Sequence, residues 1–235
     1  LKKSKTKRKV ELLIFDVDGV LVDVSGSFHR STIQTVRHFT GQRVTAAQIQ
    51  EWKSKGGYND DWRLTTDWIG SFGGNAAYED VKRRFMHFYW GDKENENVGG
   101  NVLRERWLLP IATLRRWARR AELALFTGRT RSELEFTLKR AKAEGLFKRI
   151  VTMDDIKRLK PHPDGLLKIL AGRDPAGALY LGDNVDDALA SQRAHVPFLG
   201  VLPRNSHSRR LRGGCLCELG ALEILHNVSE AEKWL

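Results

Sequence analysis

Cysteine is nearly absent from this 235-residue chain: Cys215 and Cys217 are the only two. A pair so close in sequence does not readily form a disulfide, and without histidine neighbours it makes a poor metal site. Reduced thiols and a cytoplasmic location are therefore expected. Long apolar runs are missing as well. None approaches the roughly 20 residues that cross a bilayer, so no membrane partner is expected. The basic start is not followed by the apolar core of a secretory signal, and none is predicted there.

What is present suits a folded domain. The length allows a full core in one domain or two small ones. The net charge is +11, and Lys2, Lys3, Lys5, Lys7, Arg8 and Lys9 supply six of that excess. Residues 1–9 read as a basic, solubilising tail. Nucleic-acid binding is the rival reading of the tail and of Arg115, Arg116, Arg119 and Arg120. A solvated helix face accounts for those arginines more simply, so nucleic acid is not expected as a partner. The mildly basic remainder suits an anionic, phosphorylated substrate.

The apolar stretch Leu12-Leu13-Ile14-Phe15 runs into Asp16-Val17-Asp18-Gly19-Val20. This reads as a buried strand that ends in two carboxylates and a glycine turn. Alternate strand residues face opposite ways, so both acids share a site only if the strand breaks there. Three later segments repeat an apolar run followed by a polar turn: 122–126 before Thr127-Gly128-Arg129, Arg158-Leu159 before Lys160-Pro161, and 178–181 before Gly182-Asp183-Asn184-Val185-Asp186-Asp187.

From residue 108 onward helices and strands alternate, with strands at 122–126, 149–153, 178–182 and 197–202. That alternation predicts an α/β fold, a doubly wound parallel sheet with right-handed crossovers. Residues 25–105 differ. They predict helices over 28–39 and 77–90, a capping box at Thr45–Gln48 that opens another, and a further helix capped by Asn59 or Asp60. An inserted α-helical cap follows, spanning 25–105, with core segments 10–24 and 106–235. The tryptophans at helical spacing read as cap core. Asn97-Val98-Gly99-Gly100 reads as the return linker. Residues 221–225 read as an edge strand and 229–235 as a short helix.

The four motifs, in this order, resemble the haloacid dehalogenase superfamily, subfamily I, in its phosphoglycolate-phosphatase-like and sugar-phosphatase-like branch. The resemblance implies a Rossmann-like core and a phosphatase using Mg2+. It implies Asp16 as nucleophile, Asp18 as acid/base, and Lys160 as a positive charge beside them. Thr127, Gly128 and Lys160 would bind phosphate. Asp16, the Asp18 carbonyl, Asp183 and Asp187 would form the metal site. A carboxylate at Asp18 suits a leaving group that needs a proton, which disfavours dehalogenation. Asp186 falls outside the pattern and reads as an acid favouring the first turn of a helix. Arg129 reads equally as a substrate contact or a solvated side chain. Within the cap, Lys55, Gly57, Tyr58, Asn59 and Arg63 are candidate substrate contacts, though each can equally serve capping or packing. Ser25, Ser27 and Arg30 are further candidates to face the cleft. His195 stands at a helix end where relatives commonly carry glycine.

The expected function is hydrolysis of a small phosphorylated metabolite through an aspartyl-phosphate. A phosphomutase of the beta-phosphoglucomutase type and a phosphatase acting on nucleic-acid ends are the alternatives. The sequence does not specify an oligomeric state.

Overall fold

Strand β1 (Leu12–Phe15) is fully buried and lies mid-sheet. A computed structural model describes residues 9–91, 99–203 and 209–235, without the side chains of 209–211. All of the expected tail but Lys9, and Asn97-Val98 of the expected linker, lie outside the described residues. After β1 the chain forms the short β2 (Val22–Asp23), then four helices: α1 (Phe28–Thr40), α2 (Ala46–Ser54), α3 (Asp61–Ser71) and α4 (Tyr78–Trp90). It returns through β3 (Arg106–Trp107), antiparallel to β2. This two-stranded stem is where the cap leaves and rejoins the core.

The core continues with α5 (Ile111–Trp117), β4 (Glu122–Phe126), α6 (Arg131–Ala141), β5 (Arg149–Val151), α7 (Asp164–Leu170), β6 (Ala178–Gly182), α8 (Val185–Arg193), β7 (Phe198–Val201), α9 (Arg209–Glu218) and β8 (Glu223–Leu225). Six strands form one parallel sheet in the order β5-β4-β1-β6-β7-β8. The chain moves outward from β1 on one side, then returns to build the other. β1 and its neighbours therefore flank the point where strand order reverses, the usual ligand crevice of such sheets.

Strand alternation divides the core into two layers. Leu13, Phe15, Leu123, Leu125, Leu179 and Leu181 pack on one face. Leu12, Ile14, Ala124, Phe126, Ala178 and Tyr180 pack on the other. The cap has its own core, in which Val36, Ile49, Leu64, Trp68 and Val81 converge from all four helices. Trp52 packs there against Trp68, ring centroids 5.9 Å apart, as helical spacing predicts.

Local signals account for the element ends. Thr45 and Gln48 form the expected capping box, and Asp60 accepts from the N–H groups of Trp62 and Arg63 to start α3. α1 ends at Gly41 in the left-handed region. His195 also takes a left-handed conformation, φ 56°, at the turn where sequence marked a departure from glycine. One expectation needs correction. Arg158-Leu159 forms no strand; it lies in an irregular loop after β5 and a single 3-10 turn over Met153–Asp155. Residues 228–234 form the expected short helix, of 3-10 type. This last turn anchors to α5: Glu232 accepts from Trp117 Nε1 at 2.9 Å and from Arg116 and Arg120. Two of the four arginines weighed for nucleic acid are thus engaged by a carboxylate.

Candidate active site

The expected core residues converge at the C-terminal edge of the sheet. Asp16 follows β1 and is buried, its backbone N–H donating to the Leu181 carbonyl at 2.8 Å. Lys160 reaches in from the loop after β5. Its ammonium donates to Asp16 Oδ1 and to Asp187 Oδ1, both at 2.8 Å. Asp183 follows β6. One oxygen from each of Asp16, Asp183 and Asp187 lies within 4.8 Å of the others. Gly19 permits this closeness: its φ is +76°, and a Cβ there would sit 2.4 Å from Asp183 Oδ2.

Burial governs the charges. It pushes the Asp16 carboxyl well above its ordinary value, while the Lys160 ammonium opposes that shift. Burial alone would lower Lys160, but Asp16 and Asp187 hold it above its usual range, so it stays protonated. The Asp183 carboxyl is also raised by burial, against the pull of Arg212. Crowded, desolvated carboxylates are unfavourable without cations. A hard divalent cation with oxygen ligands suits this set. Within it, Asp187 is already occupied. One oxygen takes Lys160 and the Tyr180 hydroxyl (2.7 Å); the other takes the N–H groups of Asp183 and Asn184 (3.1 and 3.2 Å). Its geometry orients Lys160 and the Asp183 turn, whereas Asp16 and Asp183 present the freer oxygens.

Asp18 is held differently. Arg129 Nε donates to Asp18 Oδ1 at 2.8 Å, and the same guanidinium forks onto Glu105 at 2.9 and 3.1 Å. Thr137 and Tyr89 add bonds to this network. Arg129 is 1% exposed, so the solvated reading of it is wrong: it fixes the Asp18 side chain. Thr127 lies after β4, and its hydroxyl accepts the Arg129 N–H at 3.1 Å. The N-cap of α6 is Thr130, which leaves Thr127 in the turn before the helix. Gly128 lines the cavity beside Asp16 and Asp18.

That cavity, of about 790 Å³, lies between cap and core. The cap residues expected there mostly face elsewhere. Lys55 lies over the Trp52 ring, 4.2 Å from its centroid. Tyr58 and Arg63 both engage Asp67 outside the cavity. The Gly57 N–H is used by a protein group. Asn59 does line the cavity and sits against Gly128. Ser25 lines it too, whereas Ser27 is buried among its neighbours and Arg30 is exposed. The residues that do face it from the cap include Lys53, Asp61, His29 and Gln50, none of which sequence singled out.

Asp186 also differs from expectation. It is buried, and its Oδ1 accepts the Gly57 N–H at 2.7 Å across the cap–core boundary. Gly56 and Gly57 reach this position with φ of +75° and +80°, conformations that favour glycine. The loop is thereby fastened to the start of α8, with Asn59 against the turn after β4. Asp186→Ala removes a hydrogen bond to a charged acceptor, worth about 1.5–3 kcal/mol. The expected result is a kcat/KM lowered roughly 10- to 100-fold, read by steady-state kinetics. Unchanged kinetics would show that the fastening has no bearing on turnover.

Comparison with known proteins agrees with this geometry. A family model for haloacid dehalogenase-like hydrolases matches residues 112–201. Pyrophosphatase PpaX of Anoxybacillus flavithermus is 26% identical over 198 residues, covering 82% of this chain and 83% of that protein. An imidazoleglycerol-phosphate dehydratase of Phytophthora nicotianae is 32% identical over 210 residues, 86% of this chain; the chain spans only 45% of that relative's length. A subfamily IA hydrolase of Geobacter sulfurreducens superposes with a TM-score of 0.63 at 21% identity, covering 96% of this chain and all of that one, a likeness of fold. The chain is similar to haloacid dehalogenase-like hydrolases, its residues 112–201 matching the family model. Its helical cap is inserted directly after the first motif.

Proposed function

We propose that this protein is a Mg2+-dependent phosphomonoesterase that works through an aspartyl-phosphate on Asp16. The observation that carries the reading is the buried Asp16 carboxylate, held at 2.8 Å by Lys160 and gathered with Asp183 at the floor of the cavity. An Asp16 oxygen attacks phosphorus, and the bond from phosphorus to the alcohol oxygen breaks. Asp18 gives the departing alkoxide its proton. Water then attacks the phosphorus, Asp18 takes that water's proton, and the bond to Asp16 breaks to release phosphate.

Mg2+, held by Asp16, Asp183 and the Asp18 carbonyl with Asp187 behind them, would supply charge neutralisation for the phosphoryl oxygens. Lys160 adds a fixed positive charge beside Asp16, and Arg129 keeps Asp18 aimed at the cavity. Thr127 and Gly128 form the turn that meets the phosphoryl group. The two free, exposed cysteines support a cytoplasmic site of action.

The test is phosphate release from a panel of phosphorylated metabolites with Mg2+ and with chelator. We expect release that disappears with the metal. No release from any compound by folded protein would overturn the proposal.

A further inference from the structure

The cavity is far larger than a phosphoryl group, so most of it must house the alcohol that leaves. Its walls carry an uneven supply of charge. Each lysine and arginine that lines it, among the described residues, already has a carboxylate partner. Lys53 on α2 pairs with Asp61 at 2.9 Å. Arg129 pairs with Asp18 and Glu105, and Arg212 with Asp183. Burial alone would lower the Lys53 ammonium, but Asp61 lifts it to about 12, so that pair stays ionised and matched.

Two acceptors on the cap wall are not matched. Glu51 lines the cavity and pairs with no cation among the described residues. Gln50 uses its amide nitrogen on the His29 ring at 3.2 Å, and its Oε1 is buried without a hydrogen-bond partner. A buried acceptor left unmet costs about 1–3 kcal/mol, and because Gln50 lines the cavity, a ligand donor beside its amide would relieve that cost. His29 stands beside it as a neutral ring, since burial and then Lys53 push it down to about 4. Val24, Phe28, Ala46, Ala47 and Leu108 give the wall an apolar part, beside the polar side chains of Asp23, Ser25, Asn59 and Asn184.

We propose that the cavity takes the phosphate ester of an alcohol that bears hydroxyl or amine donors and no second anionic group, seated on the cap wall by Gln50 and Glu51. This rests on the phosphomonoesterase reading and narrows its substrate class. A second phosphate or a carboxylate would meet Glu51 with no unpaired lysine or arginine to offset it. A mutase substrate with two phosphates is disfavoured for the same reason.

Two matched pairs of esters test the proposal. Phosphoethanolamine differs from phosphoglycolate by an aminomethyl group in place of the carboxylate, and glycerol 3-phosphate differs from 3-phosphoglycerate by a hydroxymethyl group in place of it. We expect kcat/KM at least about tenfold higher for the first member of each pair, and a Glu51→Lys variant that reduces or inverts that ratio. The same order is expected in calorimetric binding to Asp16→Asn protein with Mg2+, a measurement that needs no turnover. Equal or tighter binding of the carboxylate members, or no binding of either member, would overturn the proposal. Turnover of p-nitrophenyl phosphate reports separately on the phosphatase reading, so failure of one is distinguishable from failure of the other.

Discussion

Asp16→Asn is expected to lower phosphate release by at least about 10⁴-fold, the scale seen when a covalent nucleophile is lost. The change keeps side-chain shape and removes the charge that attacks phosphorus. Folding should survive it. An amide at this position relieves repulsion from Asp183 and Asp187, which, with burial, raises the Asp16 carboxyl. The variant should therefore match or exceed the wild type in thermal stability while losing turnover. A variant that retains activity within tenfold would remove Asp16 from the nucleophile role.

Lys160→Met should produce the opposite pattern in stability. It strips the only ammonium that the described structure bonds to Asp16 and Asp187, with Lys160 1% and the two acids 7% and 0% exposed at their side chains. Breaking a buried pair by removing one partner costs about 3–5 kcal/mol. For a chain of this size that is a midpoint lowered by roughly 10 °C in thermal unfolding. The loss has a pH signature. Burial raises the folded Asp16 carboxyl above its unfolded value, and removing Lys160 raises it further. A group raised in the folded state binds more protons there, so its support is fully present below the unfolded value and lost as pH rises through the folded one. The deficit relative to wild type should be smallest near pH 4, the ordinary carboxyl range, and grow toward neutrality. A deficit independent of pH would mean that packing, not charge, dominates at this position. Activity should fall with it, because the phosphoryl group loses a fixed cation.

Much of the core was legible because its signals are local. β1, β4 and β6 are short apolar runs that end in polar turns, and in the cap the capping box at Thr45 needs only four residues. Asp16, Asp18, Thr127 and Asp183 stand at the ends of such runs, whereas Lys160 was singled out only by the order of the four motifs. Arg158-Leu159 shows the limit: two residues are too few to distinguish a strand from a loop.

The supporting residues were hidden because their partners are distant in sequence. Arg129 meets Asp18 across 111 residues, and Gly57 meets Asp186 across 129. Tyr180 looks like any buried strand aromatic until its hydroxyl is seen on Asp187. Arg212 belongs to α9, where apolar periodicity is weak, and sequence assigned no element there. In the cap, Asn59 lines the cavity, whereas Lys55, Tyr58 and Arg63 engage other groups. Lys53 and Lys55 lie two residues apart at the end of a helix, where each step turns by about 100°. One lysine faces the cavity and the other packs on Trp52.

The central claim is that phosphate passes through a bond to Asp16. Rapid acid quench during turnover of a good substrate, followed by mass spectrometry of the digested protein, tests it most directly. The account predicts phosphate on the peptide containing Asp16, formed with Mg2+ and absent in Asp16→Asn. Full turnover with no phosphorylated Asp16 peptide, or with phosphate on another residue, would contradict it.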